Sequence, residues 1–590
     1  MQEPYFMNNQ KIENLLNLAL DASDREREKS PELSAGFSRL DDKWTIIVRY
    51  AGNPDVLLTY SPVFLLGNYA ILEVTEKEIE IIASLNEVIY IEKPKPLSFT
   101  VLEGRSSSCV SEIQNPVISA GASSLNLSGR GCIVGIIDSG IAYDHPVFLN
   151  PDGSSRILCI WDQTESGPPP QGYRKGAYYT QTEINEALRS DPTSRQTIVK
   201  TQDFSGHGTA VASVAAGNFS ENPSVPLGMA VQSELIVVKL GNFSSGSFPR
   251  TSELMQAVDF TVKKAIEYGR PLALNLSFGN SYGSHTGTSL LETYLDIAAS
   301  SGITSIITGT GNEGSAAGHT SGRLSTGETV SVELFISSYE PNINLQIWKA
   351  YYDQMTFEIQ SPSGEHFQIP GNGPFTYRDT MNQTELLIYY GEPNPYNIYQ
   401  EIYLDFLPSD TYVDSGLWKI LIHGTAIVNG EYHMWLPVQS SLNGSRFTAP
   451  APFTTLTIPS TASKAVSVGA YNSYNFSYAR FSGRGYDISS TNIRNVMKPE
   501  LVAPGVDIRV AAPDGGFVLN SGTSIAAPFV TGAAAMLMEW GIIDRNDPFL
   551  YGEKLKAYLL RGAKPLTGFN EYPNPYIGWG RLCVGESIPK

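Results

Sequence analysis

At 590 residues with 42% hydrophobic side chains, the chain can bury substantial cores and exceeds the usual size of one domain. Its 41 Lys and Arg against 59 Asp and Glu leave a formal charge of −18, which repels phosphate backbones and argues against nucleic acid as a partner. The acidic surface serves solubility or favours basic substrates; composition alone leaves both open.

Cys109, Cys132, Cys159 and Cys583 are scattered without a CxxC pair, which points to reduced thiols rather than a disulfide framework or a zinc site. Residues 11–20 are amphipathic and interrupted by polar side chains, without the basic start and apolar core of a secretory signal. No run of about 18 apolar residues offers a membrane span. Neither export by the ordinary secretory route nor a membrane partner is expected.

In chain order, residues 43–93 predict a small α+β module with strands at 44–50, 69–74 and 87–92. Thr75 and Glu78 have the spacing of a capping box, and Ile79, Ile81, Ile82 and Leu85 follow at roughly helical spacing. Pro94 and Pro96 then hold the tail extended. Residues 131–140 (GCIVGIIDSG) read as a buried strand with Asp138 at its carboxyl end. A strand over 155–164, a Gly/Pro-rich loop and a helix near 182–189 come next. His207 then opens a helix of small residues (SGHGTAVA, 205–212).

Strands at 234–240 and 271–279 alternate with a helix over 252–268, the pattern of a doubly wound parallel sheet whose ligands bind at the carboxyl ends of its strands. Residues 306–314 (IITGTGNEG) end a further strand in glycines and Asn312. From about 325 to 455 the pattern turns to short period-two runs, at 328–336, 344–348, 355–359 and 417–422, which predict an inserted β-sandwich or jelly roll. The α/β pattern resumes at 461–470. Residues 520–528 (NSGTSIAAP) then lead Ser524 into a run of small apolar residues that reads as a buried helix, with Pro528 tolerated in its first turn.

Singly, Asp138, His207 and Ser524 each have an ordinary structural explanation: a turn-capping Asp, a packed His and an N-capping Ser. Together they are what acyl transfer requires. A hydroxyl becomes nucleophilic when a neutral imidazole takes its proton, and a buried carboxylate fixes that imidazole's tautomer.

The order Asp, His, Ser, carried by IIDSG, GHGT and GTSIAAP, resembles the subtilisin-like serine proteases (subtilases). The inserted segments and the N-terminal module resemble the clostridial germination (Csp-type) branch. The resemblance implies a subtilisin-like α/β fold arranged as propeptide 1–97, protease 98–324, insert 325–455 and protease 456–590. It implies a serine endopeptidase with Asp138, His207 and Ser524 catalytic and Asn312 in the oxyanion hole. Substrate would be bound by Ser277, Phe278, Gly279, Thr310 and Gly311, with residues 242–246 as a second flanking strand; Phe278 reads equally as plain core.

The implied partners are a protein or peptide substrate and the protein's own propeptide, cut away between Lys95 and Thr100. A spore-cortex hydrolase precursor would be the target, in the cytoplasm or spore; general proteolysis fits the motifs equally. No cofactor is expected. Val147 stands where many secreted subtilases carry a calcium-binding carboxylate, so no metal is expected either, and His145, His285 and His319 read as surface or packing residues. A non-catalytic scaffold homologue is the rival from another class, disfavoured because all three triad residues are present. Sedolisin-like peptidases, which use Glu in place of His, are disfavoured by His207.

Overall fold

The structure, a computed structural model, describes residues 10–589 apart from 40, 96–97, 100–105, 111–113, 115–124, 219–227, 242–248, 372, 374 and 487–496. The chain divides into two units, one from residues 1–96, 280–290 and 316–452, the other from 97–279, 291–315 and 453–590. The insert therefore begins near 316 rather than 325, because His319–Arg323 already pairs with Glu431–Trp435.

In the first unit, the N-terminal module is an antiparallel sheet of Phe37–Ser38, Lys43–Tyr50, Tyr69–Val74 and Val63–Leu65, with Val88–Glu92 added on Lys43–Tyr50. The helix Glu76–Ser84 starts on the Thr75/Glu78 capping box: the Glu78 amide donates to Thr75 Oγ1, and the Thr75 amide donates to Glu78 Oε2 at 2.7 Å. It buries Ile79 and Ile82 but leaves Ile81 exposed.

The insert has two antiparallel sheets, of six and five strands among the described residues, closed on one core. Gly416–Ala426 shows the half-buried alternation expected of such a sheet, with Trp418, Ile420 and Ile422 inward. Thr384–Tyr390 behaves differently. Leu386 and Ile388 face the sandwich core, whereas Leu387 and Tyr389 join Leu16, Ile46 and Leu72 in the core of the N-terminal module. The neighbouring strand Tyr399–Pro408 splits in the same way, with Leu404 on one side and Tyr403 on the other. A strand buried on both faces reads as a continuous apolar run, which is how the module and the insert come to share one core.

The second unit is built on a sheet of nine strands among the described residues, mostly parallel. Its middle holds β1 (Ile133–Asp138), β2 (Ile157–Asp162), β3 (Glu234–Lys239), β4 (Leu272–Leu276), β6 (Thr304–Gly309) and β7 (Val466–Asn472), with the short β5 (Phe278–Gly279) just after β4. β1 lies between β3 and β4, with Asp138 beside Lys239 in register, so its end opens at the carboxyl edge of the sheet. Helices α1 (His207–Ala216), α2 (Thr251–Glu267) and α3 (Thr523–Met538) pack on it. α3 runs on through Ile543 to give a 21-residue segment apolar and long enough to cross a membrane, contrary to the expectation of no such run; 89% of its apolar 18-residue stretch is buried, as befits the core helix of this unit.

Cys109 and Cys583 form a disulfide across 474 residues, which corrects the expectation of four reduced thiols. The fold brings together two positions that spacing could not relate, because the segment after the tail strand packs beside the C-terminal elements; the backbone carbonyl of Ser107 accepts from Tyr471 Oη and Arg581 Nη1. Cys132 and Cys159 are buried thiols.

Candidate functional site

Asp138 ends β1 fully buried, and its Oδ1 lies 2.6 Å from His207 Nδ1 and accepts from the Ser139 amide at 2.7 Å. Burial raises its pKa above the ordinary carboxylate value, opposed by the adjacent imidazole and the Ser139 amide. α1 can approach β1 this closely because residue 208 is glycine. A Cβ there would strike the carbonyl oxygen of Gly140 and come within 3.1 Å of Asp138 Cβ.

Asp203, which sequence reasoning passed over, joins the two elements. Its Oδ1 accepts from Ser139 Oγ at 2.8 Å and the Gly206 amide at 3.0 Å, and its Oδ2 from the Thr209 amide and hydroxyl. Ser139 Oγ in turn accepts from the Gly208 amide at 2.9 Å. One carboxylate thus ties the loop after Asp138 to the first turn of the helix bearing His207. Its signal was an acid four residues before a His at a helix mouth, too common a pattern to single out.

Ser524 stands in the first turn of α3, 2% exposed, where helix N–H groups lack intrahelical acceptors and the helix dipole favours negative charge. α3 packs against α1 and β1, and the Ser524 hydroxyl makes no hydrogen bond among the described residues. Links of this kind are often long without substrate and tighten on binding. The backbone of Ser524 is fixed by a buried relay in which Thr531 Oγ1 donates to Asn275 Oδ1, Asn275 Nδ2 to Ser277 Oγ at 2.7 Å, and Ser277 Oγ to the Ser524 carbonyl at 2.8 Å. The Ser277 side chain therefore anchors the serine turn instead of facing outward.

Asn312 Oδ1 accepts from the Thr523 amide at 3.1 Å and the Thr523 hydroxyl at 3.3 Å. With the oxygen held, the amide NH2 is the end that remains to donate to a developing oxyanion. Phe278 and Gly279 pair antiparallel with the chain's own tail, Phe278 opposite Phe99 and Gly279 opposite Ser98. Phe278 is both buried and engaged through its backbone. Thr310 and Gly311 turn their backbones inward: the Thr310 amide donates to Val468, its carbonyl accepts from Thr457, and the Gly311 carbonyl accepts from Gly483. Residues 242–246 lie outside the described residues.

Among the described residues no group of three or more His, Cys, Asp or Glu is arranged to hold a metal ion. His145 packs on Phe148 and Phe517, and in the first unit His285, His319 and His433 stack on Trp435. His145, His285 and His319 are all buried, so their setting is local packing rather than surface.

Residues 10–95 match the family model described as Csp protease B prodomain, and residues 129–352 and 420–580 match the subtilase family. A solved structure of the Clostridium perfringens CspB protease superimposes with a TM-score of 0.73 at 34% identity, covering 82% of this chain and 96% of that one. Among curated proteins, subtilisin-like protease SBT3.1 of Arabidopsis thaliana is 24% identical over 442 residues, and subtilisin-like protease SBT3 of Solanum lycopersicum is 25% identical over 473. Both alignments take in 69% of this chain, which spans 53% and 55% of those two proteins. With a subtilisin-like fold, a matching prodomain and a family match over more than half its length, the chain belongs to the subtilase family.

Proposed function

We propose that this protein is a serine endopeptidase in which Ser524 is the nucleophile, His207 the general base and then acid, and Asp138 the carboxylate that orients His207. The observation that carries the reading is the buried 2.6 Å contact from Asp138 Oδ1 to His207 Nδ1, which fixes the proton on Nδ1 and keeps Nε2 basic. His207 Nε2 takes the Ser524 proton as Oγ attacks the scissile carbonyl. The oxyanion is met by the Asn312 amide and the Ser524 backbone N–H at the start of α3. Collapse passes the proton to the leaving amine and leaves an acyl-enzyme, which water cleaves by the same route in reverse order. Labelling with a fluorophosphonate probe tests this: an adduct on Ser524 is expected, and its absence from processed protein would favour a scaffold without chemistry.

The first substrate is the chain's own tail. The pairing of Ser98–Phe99 with β5 supports this, because an extended segment added to a cleft strand is how a peptide is presented for cutting. The cut is expected close to this pairing, near the Thr100 end of the interval between Lys95 and Thr100; Thr100 lies outside the described residues. A fragment of about a hundred residues should separate from wild-type protein on a denaturing gel and be missing from Ser524→Ala; intact wild-type chain would count against self-processing.

The prodomain match and the likeness to the CspB protease support a spore-associated role, with a spore-cortex hydrolase precursor as the physiological substrate. Incubating processed enzyme with such a precursor should give one discrete cut, and general degradation would redirect the assignment to broad proteolysis.

A further inference from the structure

Calcium is implied by the likeness to secreted subtilases, and at the position concerned this chain's residues do not fit it. Val147 stands there with an apolar, buried side chain, so only its backbone carbonyl could face a cation. That carbonyl is already taken: it accepts from Arg156 Nη2 at 2.7 Å and from the Asn218 amide at 2.8 Å. Calcium takes about six to eight oxygens, with carboxylates to balance its charge, and this junction offers carbonyls that already have donors.

The cation at the junction is a side chain. Arg156, 3% exposed, stands just before β2; its Nη2 also donates to the carbonyl of Ala216, the last residue of α1, and its Nη1 donates at 2.8 Å to the carbonyl of Ser233, just before β3. Its side-chain partners among the described residues are backbone carbonyls, and Nε is buried without one. A guanidinium buried without a carboxylate is costly. Two features offset the cost: the planar fork reaches three carbonyls at once, and the C-terminal end of α1 carries the negative pole of the helix dipole. Burial pulls the pKa of Arg156 down to about 10, which leaves it charged at neutral pH.

The carbonyls it joins belong to the segments that carry Asp138 and His207. Val147 lies on the loop that leaves Asp138, and Ala216 closes the helix that His207 opens. Asp203 ties the same two segments at the N-terminal end of α1. One tie would leave the helix a pivot; the second, at its far end, fixes its direction.

We propose that Arg156 is a positioning residue that supplies, as a fixed part of the chain, the cation joining the Asp138 loop to the far end of the His207 helix, so that their alignment needs no divalent metal. Its effect on catalysis rests on the endopeptidase reading above; its effect on stability does not.

The full chain carrying Ser524→Ala, which cannot cut itself, should be melted in chelator and in millimolar calcium. The two Tm values should agree within about 1 °C, since only a ligand bound to the native state shifts them. Arg156→Met in this background should lower Tm by at least about 5 °C, because the three carbonyls lose a charged donor. Arg156→Gly leaves room for an added guanidinium: millimolar methylguanidinium should recover at least about half of its loss in Tm, and methylammonium or calcium none. With Ser524 restored and well below Tm, Arg156→Gly should have kcat at least about tenfold lower and KM within about twofold on a quenched peptide, with kcat returning in methylguanidinium. A Tm of the parent that rises by several degrees with calcium, an Arg156→Met chain that melts as its parent does, or recovery by calcium in place of methylguanidinium would overturn the assignment. If the Arg156 variants do not fold, the parent's response to calcium and chelator decides alone. Absence of a fluorophosphonate adduct on Ser524 would defeat the endopeptidase reading and leave the melts to decide this one.

Discussion

The two units bury carboxylates under opposite conditions. In the protease unit each has donors of its own: Asp138 holds His207, Asp203 collects hydroxyls and amides, and Glu500 lies 2.8 Å from Lys498 Nζ and 3.2 Å from Lys556 Nζ. Burial alone would raise Glu500, but the two ammonium groups and the Ser467 bonds outweigh it and hold its pKa below the ordinary value. At the seam between the N-terminal module and the insert, acids outnumber cations. Glu13, Glu92 and Glu401 cluster around Lys95, which bridges Glu13 at 2.7 Å and Glu92 at 2.9 Å. Burial, with Glu13 close by, pushes Glu92 up to about 7 against the pull of Lys95 and Glu401 up to about 8. Glu500 is thereby favoured in its charged form, whereas Glu92 and Glu401 are favoured in their protonated forms.

The comparison breaks most severely at Asp138. Asp138→Asn leaves the shape intact but favours the wrong His207 tautomer, and kcat should fall by about 10⁴-fold. Asn312→Ala should lower kcat by about two to three orders of magnitude with KM nearly unchanged, measured on the same peptide; an equal loss in substrate affinity would contradict an oxyanion role. Cys109→Ser removes the cross-link spanning 474 residues and should lower the stability of the protease unit by about 2–5 kcal/mol in denaturant titrations, with the first unit spared.

The seam sharpens the contrast through pH. Its glutamates have docked pKa values above their ordinary ones, so docking takes up protons. It is strongest below the ordinary carboxylate value and weakens as pH rises through about 7 and 8. After self-cleavage, dissociation of the N-terminal module should therefore be at least about tenfold easier at pH 8 than at pH 6. Glu401→Gln should flatten that dependence, whereas a flat wild-type profile would remove the distinction between the two carboxylate sets. The smallest effect belongs to Thr75→Ala, which opens the capping box of Glu76–Ser84 and should cost about 1 kcal/mol by thermal melting.

What could be read in advance follows the range of the interactions involved. IIDSG, GHGT and GTSIAAP were legible because strand end, turn and helix start are set by a few adjacent residues. The Thr75/Glu78 box was legible for the same reason. Asp203 was not, because its partners Ser139 and Thr209 matter only once β1 and α1 are side by side. The Cys109–Cys583 bridge was misread because spacing says nothing about two positions that meet 474 residues apart. Leu387 and Tyr403 gave no sign of facing the N-terminal module, since an apolar run buried on both faces looks like any core strand.

By itself the sequence determined the local elements, the order Asp138, His207, Ser524 and the α/β alternation behind them, because periodicity and turn chemistry act within a few residues. Tertiary structure alone decided what each buried group faces: Thr457 against Gly279 and Gly311, Ser277 on the serine turn, and the seam glutamates around one lysine. Those relations depend on side chains brought together across hundreds of residues, where burial changes both the space and the charge that a group can hold.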